Sequence, residues 1–474
     1  FFFLHGSGRN DNISILDPGN RSYFYPGVDA SFVFSNAIPA LKDVSFLDYG
    51  KIRGGITKVS QVNLPTGTAF NSGVFQTNGA YSLQSTFGNG TGFPFGSLAS
   101  LTANGGLVQP GLVPENTRSI EAGIELSFFK RRVAGAFTYY AQKSTNQTVN
   151  TSVSTTTGYS NLLLNAGEVQ NRGIEADLTI VPVRLANGFT ITLGGNFNYN
   201  NNEVISLPNG LTQLNLSTGG NAQLYAIPRI AGQPGLPYPY LSGSYYQRVT
   251  DEGPAKGMVK MATTTDPRTG TTYYYPLKAA DNKNFGNTQP KYKYGFNAAI
   301  SYKGLTLSGQ GELRTGYVVY NSIGEDLDFT GSGARSAMYG RQNFVYPNSA
   351  ISTDGGATYV PNTSNLTPGG AEFWAQNSTW NRTVAENYVT SGAFFKIREL
   401  SLSYAVPANL LTKTGFVKGL SLNVYGRNVF TWVPKENIYT DPEFSFSNSN
   451  AIGINSNLQT PPTKFYGASL SATF

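Results

Sequence analysis

The sequence contains no cysteine, only three methionines and a single histidine, His5, among its 474 residues. The lack of cysteine excludes a disulfide scaffold, thiol chemistry and the usual cysteine-based zinc sites. One histidine leaves no histidine pair for a metal and argues against a histidine-dependent catalytic triad. Only 13% of the residues are charged, against about 25% in a typical soluble domain. This composition does not fit a soluble α/β enzyme.

Long apolar runs are also missing. No stretch reaches the roughly 18 apolar residues of a transmembrane helix, and no signal peptide is visible. Because the chain opens with three phenylalanines and not methionine, we expect a processed or incomplete piece of a longer protein. The net charge is +7, but the basic residues are scattered, with Lys130-Arg131-Arg132 as the longest run. This scatter predicts contact with lipid headgroups and no nucleic-acid partner.

Alternation of apolar and polar residues is widespread, and the chain is rich in glycine and aromatic residues. The clearest alternation runs over residues 189–200, where Phe189, Ile191 and Leu193 share one face. Such a period of two indicates β-strands with one apolar and one polar face. We predict strands near residues 1–8, 24–35, 46–57, 118–129, 132–146, 172–183, 188–201, 291–303, 305–317, 393–406, 419–432 and 464–474.

The predicted connections alternate between short and long. Lys130-Arg131, residues 184–187 and Gly304 are minimal turns, whereas the stretches near 58–117, 202–290 and 318–392 are long. A soluble sandwich also alternates along its strands, but its strands are shorter and its loops are not sorted in this way. Long strands with short turns on one rim and long loops on the other are typical of an outer-membrane barrel. We therefore predict an all-β, transmembrane antiparallel β-barrel, as a single domain over residues 1–474.

Charged residues on the polar faces of the strands are predicted to line the barrel lumen, because arginine or lysine facing lipid costs about 2–4 kcal/mol at the midplane. The candidates are Glu121, Glu125, Glu175, Asp177, Glu312 and Arg314. Glu121 and Glu125 lie on one strand face without an evident pocket, so we predict no catalysis. Lys396 and Arg398 share parity with the apolar Leu400. They either extend to lipid headgroups or lie at a bulge that swaps the two faces.

Aromatic residues in the long loops are candidates for binding substrate, because sugar rings stack on aromatic faces. They are Tyr238, Tyr240, Tyr245, Trp374 and Trp380. Alternatively, they pack within their own loops. Asp281, Asn282 and Asn284 offer oxygen ligands for calcium, but without the spacing of a calcium loop. No other metal or cofactor is predicted.

The last predicted strand ends at an aromatic residue, Phe474. Its outward face is formed by Tyr466, Ala468, Leu470, Ala472 and Phe474. A terminal phenylalanine on an alternating strand resembles the signal by which outer-membrane barrels are recognised for insertion. The alternative is a last strand that ends in phenylalanine by chance.

Seven segments, in order along the chain, resemble one known family, the SusC/RagA-type TonB-dependent transporters of the Gram-negative outer membrane. They are GSGRNDNIS with YFYPGVDASFVFS, LVPENTRSIEAGIELSFFKRRV, NAGEVQNRGIEADL, GNTQPKYKYGFNAAISYKGLTL, FFKIRELSLSYAVP, NVYGRNVFTW with DPEF, and PPTKFYGASLSATF. The resemblance implies a multi-pass protein in the outer membrane, in contact with membrane lipid and lipopolysaccharide. It further implies a 22-stranded barrel with a plug, which imports oligosaccharides, glycans or peptides. TonB would energise the import, with a SusD-like surface lipoprotein as partner.

The chain departs from the family pattern because we find neither a plug nor a TonB box and only about twelve strands. We therefore expect the C-terminal part of the barrel, with the N-terminal part and the plug missing from this chain. An open sheet in lipid leaves unpaired edges, so something must close it. The alternative function is a SusC-like barrel that acts as a scaffold in a secretion or surface-assembly complex.

Overall fold

The computed structural model describes the chain except at a number of loop positions. These are residues 63–82, 84–86, 90–93, 104–105, 160, 208–210, 220–221, 227–234, 268, 377–380, 413–414, 446–451, 457–459 and 461. None of the helices in the described ranges combines the length and the apolar composition needed to cross a membrane.

Twelve long strands form one antiparallel sheet, here called the wall, in which each strand pairs with the next wall strand along the chain. A short strand, Gly106–Val108, pairs with the wall beside this path. The wall strands are β1 (Phe2–Asn12), β2 (Ser22–Phe32), β3 (Leu47–Gln61), β4 (Glu115–Phe128), β5 (Val133–Ser152), β6 (Asn161–Arg184), β7 (Thr190–Ser206), β8 (Tyr292–Tyr302), β9 (Leu305–Thr315), β10 (Phe394–Ala405), β11 (Gly419–Trp432) and β12 (Phe465–Thr473). All twelve predicted strands and their antiparallel order are confirmed.

One face of the wall is apolar and solvent-accessible, and we call it the apolar belt. Its members include Ile52, Ile56, Ile120, Phe137, Leu178, Leu193, Phe296, Ile300, Leu307, Leu402, Leu422, Val424 and Leu470. The strand register connects them, as in the pairs Ile300–Leu307 and Leu422–Leu470. Leu193 is 44% exposed and so lies outside any protein core. A continuous exposed apolar face over twelve strands suits hydrocarbon and not water.

The short connections lie at one rim of the wall. Lys303 and Gly304 both have positive φ, 46° and 87°, and form the two-residue turn between β8 and β9. Between β4 and β5, the backbone N–H of Arg131 donates to the Asp48 carboxylate at 2.9 Å. The two longer connections at this rim contain short helices, which are Phe34–Ala37, Pro39–Lys42 and Ala408–Leu411.

Two wall strands are much longer than predicted. The predicted ranges were 132–146 and 172–183, but β5 has 20 residues and β6 has 24. A membrane-crossing strand needs about 9–11 residues, so both strands continue beyond the bilayer. Their pairing extends to Ser152–Asn161. The sequence did not reveal this extension because its apolar residues Leu163, Leu164 and Val169 are buried against other parts of the protein and do not follow a period of two.

The connections at the other rim fold into a body that we call the crown, formed by the described parts of residues 207–291, 316–393 and 433–464. Its strands are Leu214–Gly219, Ala222–Ala226, Tyr240–Tyr246, Val259–Thr265, Thr272–Pro276, Lys278–Asn287, Val318–Asn321, Ser349–Ile351, Val360–Pro361, Val389–Ser391 and Ile454–Asn455. Its helices are Ser322–Thr330 and the short Ala334–Arg341, Glu372–Gln376 and Ala385–Asn387. Leu224, Leu241, Tyr320 and Tyr388 form a fully buried core within it. The crown is therefore a folded structure and not a set of open loops.

The connections outside the crown contribute small elements of their own. They are the strands Phe87–Asn89 and Leu101–Ala103 and the short helices Pro18–Asn20 and Thr155–Thr157.

Candidate functional site

The six charged residues predicted to line the lumen lie on one face of the wall, opposite to the apolar belt. Residues directly opposite each other in an antiparallel ladder point to the same side. One such row across the strands runs through Glu125, Ala136, Asp177, Asn196, Gly295 and Glu312. Glu121, Glu175 and Arg314 are at even spacings from members of this row and share the face. That this polar face lines a water-filled lumen stays a prediction.

The first group of charges lies on β3 and β4. The Glu125 carboxylate lies 3.2 Å from Lys51 Nζ and 3.3 Å from Arg53 Nε. Arg53 also donates to the Thr138 hydroxyl at 2.8 Å. Glu121 lies beside this group and accepts a hydrogen bond from its own neighbour Ser119 at 3.2 Å. The two glutamates therefore have separate partners, and the structure does not bring them together as an acid–base pair.

Glu175 and Asp177 stand further along the same face, on β6. Asn198 of β7 donates to the Glu175 carboxylate at 3.1 Å. Asp177 is exposed on the same side of the strand. Lys293 of β8 lies opposite Asn198 on the same face, so this part of the polar face carries charges of both signs.

The second group is a six-charge network that ties β9 and β10 to residues of the segment 433–464. Its members are Glu312, Arg314, Lys396, Arg398, Asp441 and Glu443. Arg398 bridges two carboxylates, with Nε 2.7 Å from Glu312 Oε2 and Nη1 2.7 Å from Glu443 Oε2. Arg314 lies 2.5 Å from Glu312 and 3.1 Å from Glu443. Three cations therefore face three carboxylates.

Lys396 is the most deeply buried member of this network, with 2% of its side chain exposed. Its Nζ lies 2.5 Å from Asp441 and also pairs with Glu443. Burial alone would raise the pKa of Glu443, but the hydrogen bonds and charges of Arg398 and Lys396 outweigh it and lower the pKa to about 2. Glu443 is therefore ionised at neutral pH and holds its segment against the wall.

A β-bulge explains why Lys396 and Arg398 belong to this polar network. The ladder from β10 to β9 skips Arg398, and the ladder from β10 to β11 also shifts at this point, next to Asn428 with a φ of 52°. The extra residue moves Lys396 to the polar face although it shares parity with Leu400. Of the two sequence interpretations, the bulge is confirmed and the extension to lipid headgroups is wrong. Sequence reasoning missed Asp441 and Glu443, whose only signal was the DPEF motif.

The candidate substrate-binding aromatics occupy different places in the crown. Tyr238 is buried in a small core with Val204 and Leu214. Tyr245 donates from its hydroxyl to Asp281 at 3.0 Å. Tyr240 is half-buried at the start of its strand. The structure does not gather these three rings into one sugar-stacking surface, so sugar binding by them stays a prediction.

Trp374 is also buried, and Trp380 lies outside the described residues. The Trp374 ring packs edge-to-face on Phe373, with centroids 4.9 Å apart. The guanidinium carbon of Arg335 lies 4.9 Å from the centroid of the Trp374 ring. The Trp374 ring thus packs between protein groups and is not presented as an open stacking surface.

Arg335 organises a buried polar cluster next to Trp374. It lies 3.0 Å from the Asp328 carboxylate, which also accepts hydrogen bonds from Tyr388 at 2.7 Å and Asn381 at 3.0 Å. Burial raises the pKa of Asp328, and the opposing effect of Arg335 and these hydrogen bonds does not fully offset it. Arg335 also donates to the Tyr439 hydroxyl at 2.8 Å. The segment 433–464 is thus attached to the rest of the crown at Tyr439 as well as to the wall.

The calcium candidates lie on a paired strand and not in a loop. Asn282 and Asn284 of the strand Lys278–Asn287 pair with Ser244 and Ser242. Within the described ranges, no group of three or more histidine, cysteine, aspartate or glutamate side chains is arranged to hold a metal ion. Calcium binding here stays a prediction.

The C-terminal signal residues continue the apolar belt on β12. Tyr466, Ala468, Leu470 and Ala472 lie opposite Gly426, Val424, Leu422 and Leu420 of β11. Phe474 stacks on Phe416 with centroids 6.0 Å apart. Recognition of this strand by insertion machinery stays a prediction.

Comparison with known proteins agrees with this architecture. The model of the family described as "TonB dependent receptor-like, beta-barrel" matches residues 3–312, well over half of the chain. The TonB-dependent receptor P3 of Formosa agariphila is 24% identical over 355 residues, which cover 73% of this chain and 32% of the relative. The TonB-dependent receptor P26 of the same organism is 24% identical over 469 residues, which cover 94% of this chain and 41% of the relative. The chain thus spans about a third to two-fifths of the length of these curated relatives.

The fold is also similar to a solved structure. A chain of the RagAB peptide transporter superposes with a TM-score of 0.66 at 16% identity, covering 100% of this chain and 46% of that chain. At this identity the likeness shows a shared fold. The SusC/RagA resemblance noted in the sequence is confirmed at the level of the receptor family, whose barrels lie in the outer membrane. The chain belongs to the TonB-dependent receptor-like β-barrel family.

Proposed function

We propose that the protein containing this chain imports an oligomeric nutrient, an oligosaccharide, glycan or peptide, across the outer membrane. The match of residues 3–312 to the receptor family carries this proposal. The polar face with its charge networks supports it, because an oligomer rich in hydrogen-bonding groups needs such a surface along its path. The RagAB structure of similar fold is a peptide transporter, which makes peptides one of the substrate classes to test.

The proposal has three further parts. TonB supplies the energy, a plug fills the barrel, and a SusD-like surface lipoprotein acts as partner. The chain corresponds to 46% of the RagAB chain with the same fold. We propose that the remaining strands and the plug come from the rest of the protein and close the wall between β1 and β12. The crown forms a broad, folded surface on the same rim as the long loops, where a lipoprotein lid would sit.

The test is growth on defined oligomers. A strain that lacks the gene should fail to grow when one class of oligomer, either peptides or glycans, is its sole nutrient. The same strain should grow normally on the corresponding monomers. A gene copy should restore growth only when TonB is present. Normal growth of the deletion strain on every oligomer would refute import.

A scaffold in a secretion or surface-assembly complex is the second candidate. The observation in its favour is the crown, because a preformed core and paired strands offer a rigid surface for other proteins. Native purification separates the two functions. Co-purification of a single SusD-like lipoprotein favours import, and co-purification of secretion components favours the scaffold.

A further inference from the structure

The short connections between wall strands carry most of the net charge of the chain. They are residues 33–46, 129–132, 185–189, 303–304 and 406–418. Together they contain seven basic residues and one acidic residue, which is +6 of the chain's net charge of +7. At the adjoining strand ends, Arg184 and Asp48 add one charge of each sign. The cations are scattered in the sequence, but the fold gathers them along one edge of the wall, which we call the basic rim.

The crown at the opposite rim has no such excess of positive charge. Its ranges 207–291, 316–393 and 433–464 contain thirteen basic and thirteen acidic residues. Neighbouring strands lie about 4.8 Å apart, and a short connection recurs at every second strand, so successive connections of the basic rim lie about 10 Å apart. Like charges in such a row repel one another unless an anion lies against them. The asymmetry favours an anionic partner at the basic rim.

The cations of the basic rim are free to meet such a partner. The exposed side chains are those of Lys42, Lys130, Arg131, Arg132, Lys303 and Lys418. Lys418 donates to the Phe474 backbone oxygen at 3.2 Å. Among the residues whose positions are described, the other five have no ion-pair partner. The carboxylate of Asp48 accepts the backbone N–H of Arg131 at 2.9 Å and so does not neutralise the arginine side chain.

The turn between β4 and β5 holds three of these cations in consecutive positions. Phe129, Lys130 and Arg131 have φ values of 55°, 57° and 60°, a region that residues other than glycine seldom adopt. Backbone hydrogen bonds fix this turn. The N–H of Arg132 donates to Phe128 O at 3.0 Å, and the N–H of Phe129 donates to Phe46 O at 2.9 Å. A rigid turn with three adjacent exposed cations offers several donors to one anionic group.

Aromatic side chains next to the apolar belt accompany the cations. Phe46, Phe128 and Phe129 form a cluster in which each pair of ring centroids lies 6.3 Å apart. Lys303 Nζ lies 5.2 Å from the centroid of the Tyr302 ring. Aromatic residues at the edge of an apolar band mark the interface of a bilayer, and long basic side chains reach the headgroups there. The basic rim therefore lies at the depth of the lipid headgroups.

We propose that the basic rim binds anionic phospholipid headgroups in the leaflet on its side of the membrane, with Lys130, Arg131 and Arg132 as the main contacts. Guanidinium and ammonium groups form charge-assisted hydrogen bonds with phosphate oxygens. A zwitterionic headgroup cancels its phosphate charge with its own amine, whereas phosphatidylglycerol keeps a net negative charge. The rim thus selects lipids by net charge. This inference goes beyond nutrient import and does not depend on it.

The experiment measures lipid binding to the full-length receptor in detergent by native mass spectrometry. The probes are dioleoyl phosphatidylglycerol and dioleoyl phosphatidylcholine, which share their acyl chains and differ in net charge. Wild type should bind the anionic lipid more tightly. The triple variant Lys130→Gln/Arg131→Gln/Arg132→Gln should weaken that binding by about ten- to a hundredfold, because each basic residue near an anionic lipid surface is worth about fivefold. Its binding of phosphatidylcholine should not change.

The matched control removes the same charge from the crown. Lys256→Gln/Arg341→Gln/Lys435→Gln changes three exposed cations and should bind both lipids as wild type does. Lys42→Gln/Lys303→Gln leaves the turn between β4 and β5 intact and should weaken phosphatidylglycerol binding severalfold, so the proposal stays testable if the turn variant does not fold. Equal affinity of wild type for the two lipids, or equal losses in the rim and crown variants, would overturn the proposal.

The anionic cell-wall polymer is the alternative partner for a basic surface at this rim. Sedimentation with purified peptidoglycan sacculi tests it in the same receptor and the same variants. We expect the turn variant and wild type to sediment to the same extent. Loss of sedimentation in the turn variant, with its preference for phosphatidylglycerol intact, would assign the basic rim to the cell wall and refute lipid binding.

Discussion

Arg398 shows what single residues contribute to the wall, because two carboxylates depend on it. It lies between Glu312 and Glu443, and 24% of its side chain is exposed. The neighbouring strand carries a similar pair, Arg427 with Glu399 at 2.8 Å, in which 57% of the arginine is exposed. Exposed pairs contribute little to stability, whereas removal of one partner from a buried network leaves charge uncompensated.

We therefore expect Arg398→Ala to destabilise the folded barrel by about 3 kcal/mol and Arg427→Ala to have little effect. Heating samples before SDS gel electrophoresis gives the temperature at which the folded band is lost. The Arg398 variant should lose it several degrees below wild type. Equal behaviour of the two arginine variants would show that the six-charge network does not stabilise the wall.

Glu443 is expected to make the stability of the folded protein depend on pH. Its pKa is lowered to about 2 in the folded protein from an unfolded value of 4.5. A carboxyl group with a depressed folded pKa stabilises fully above the unfolded value, and this contribution is lost as the pH falls toward the folded pKa. The stabilisation by Glu443 should therefore disappear between about pH 5 and pH 2.

The comparison of wild type with Glu443→Gln isolates this residue from other acids. The difference in melting temperature, followed by intrinsic fluorescence in detergent, should be constant above about pH 5 and shrink toward zero in acid. A difference that does not change with pH would contradict the role of the Glu443 charge.

At the scale of elements, the sequence predicted all twelve wall strands because hydrocarbon on one face imposes strict alternation. It did not predict the far ends of β5 and β6, where the consecutive residues Leu163 and Leu164 are both buried by protein and the alternation is lost. The alternation around Arg398 was compatible with either a bulge or contact with lipid headgroups. It could not distinguish them because the bulge is defined by how β10 pairs with β9 and β11. Several crown strands are short and pair across long distances in the sequence, as Val318–Asn321 does with Ile454–Asn455. Five of the crown strands have only two to four residues, too few to show a period.

The alternation also makes a sharp prediction on β6. Leu178 belongs to the apolar belt, and the adjacent Thr179 points to the polar face. Leu178→Arg should destabilise the protein in the membrane by about 2–4 kcal/mol near the midplane, whereas Thr179→Arg should be tolerated. The amount of folded receptor in isolated outer membranes measures both effects. A larger loss for Thr179→Arg would reverse the assignment of the two faces.

At the scale of the whole molecule, the segment 433–464 joins the wall to the rest of the crown. Its Tyr439 accepts a hydrogen bond from Arg335 in the crown, and its Asp441 and Glu443 pair with Lys396 on β10. Contacts within the five residues 439–443 thus hold this segment to both the polar face of the wall and the rest of the crown. Alternation identifies neither contact, because the partners come from different loops and meet only in the folded chain.

The short connections lie at one rim of the wall and the long connections at the other. This difference predicts which rim faces the outside of the cell. An epitope inserted after Gly253, in an exposed part of the crown, should bind antibody on intact cells, because the long connections of an outer-membrane barrel are extracellular. The same epitope inserted after Lys130, in the turn between β4 and β5, should bind only after the outer membrane is permeabilised. Both inserts lie outside the wall strands, so the receptor should still fold and its amount serves as the control. Antibody binding at Lys130 on intact cells, with no binding at Gly253, would contradict this orientation and place the crown on the periplasmic side of the membrane.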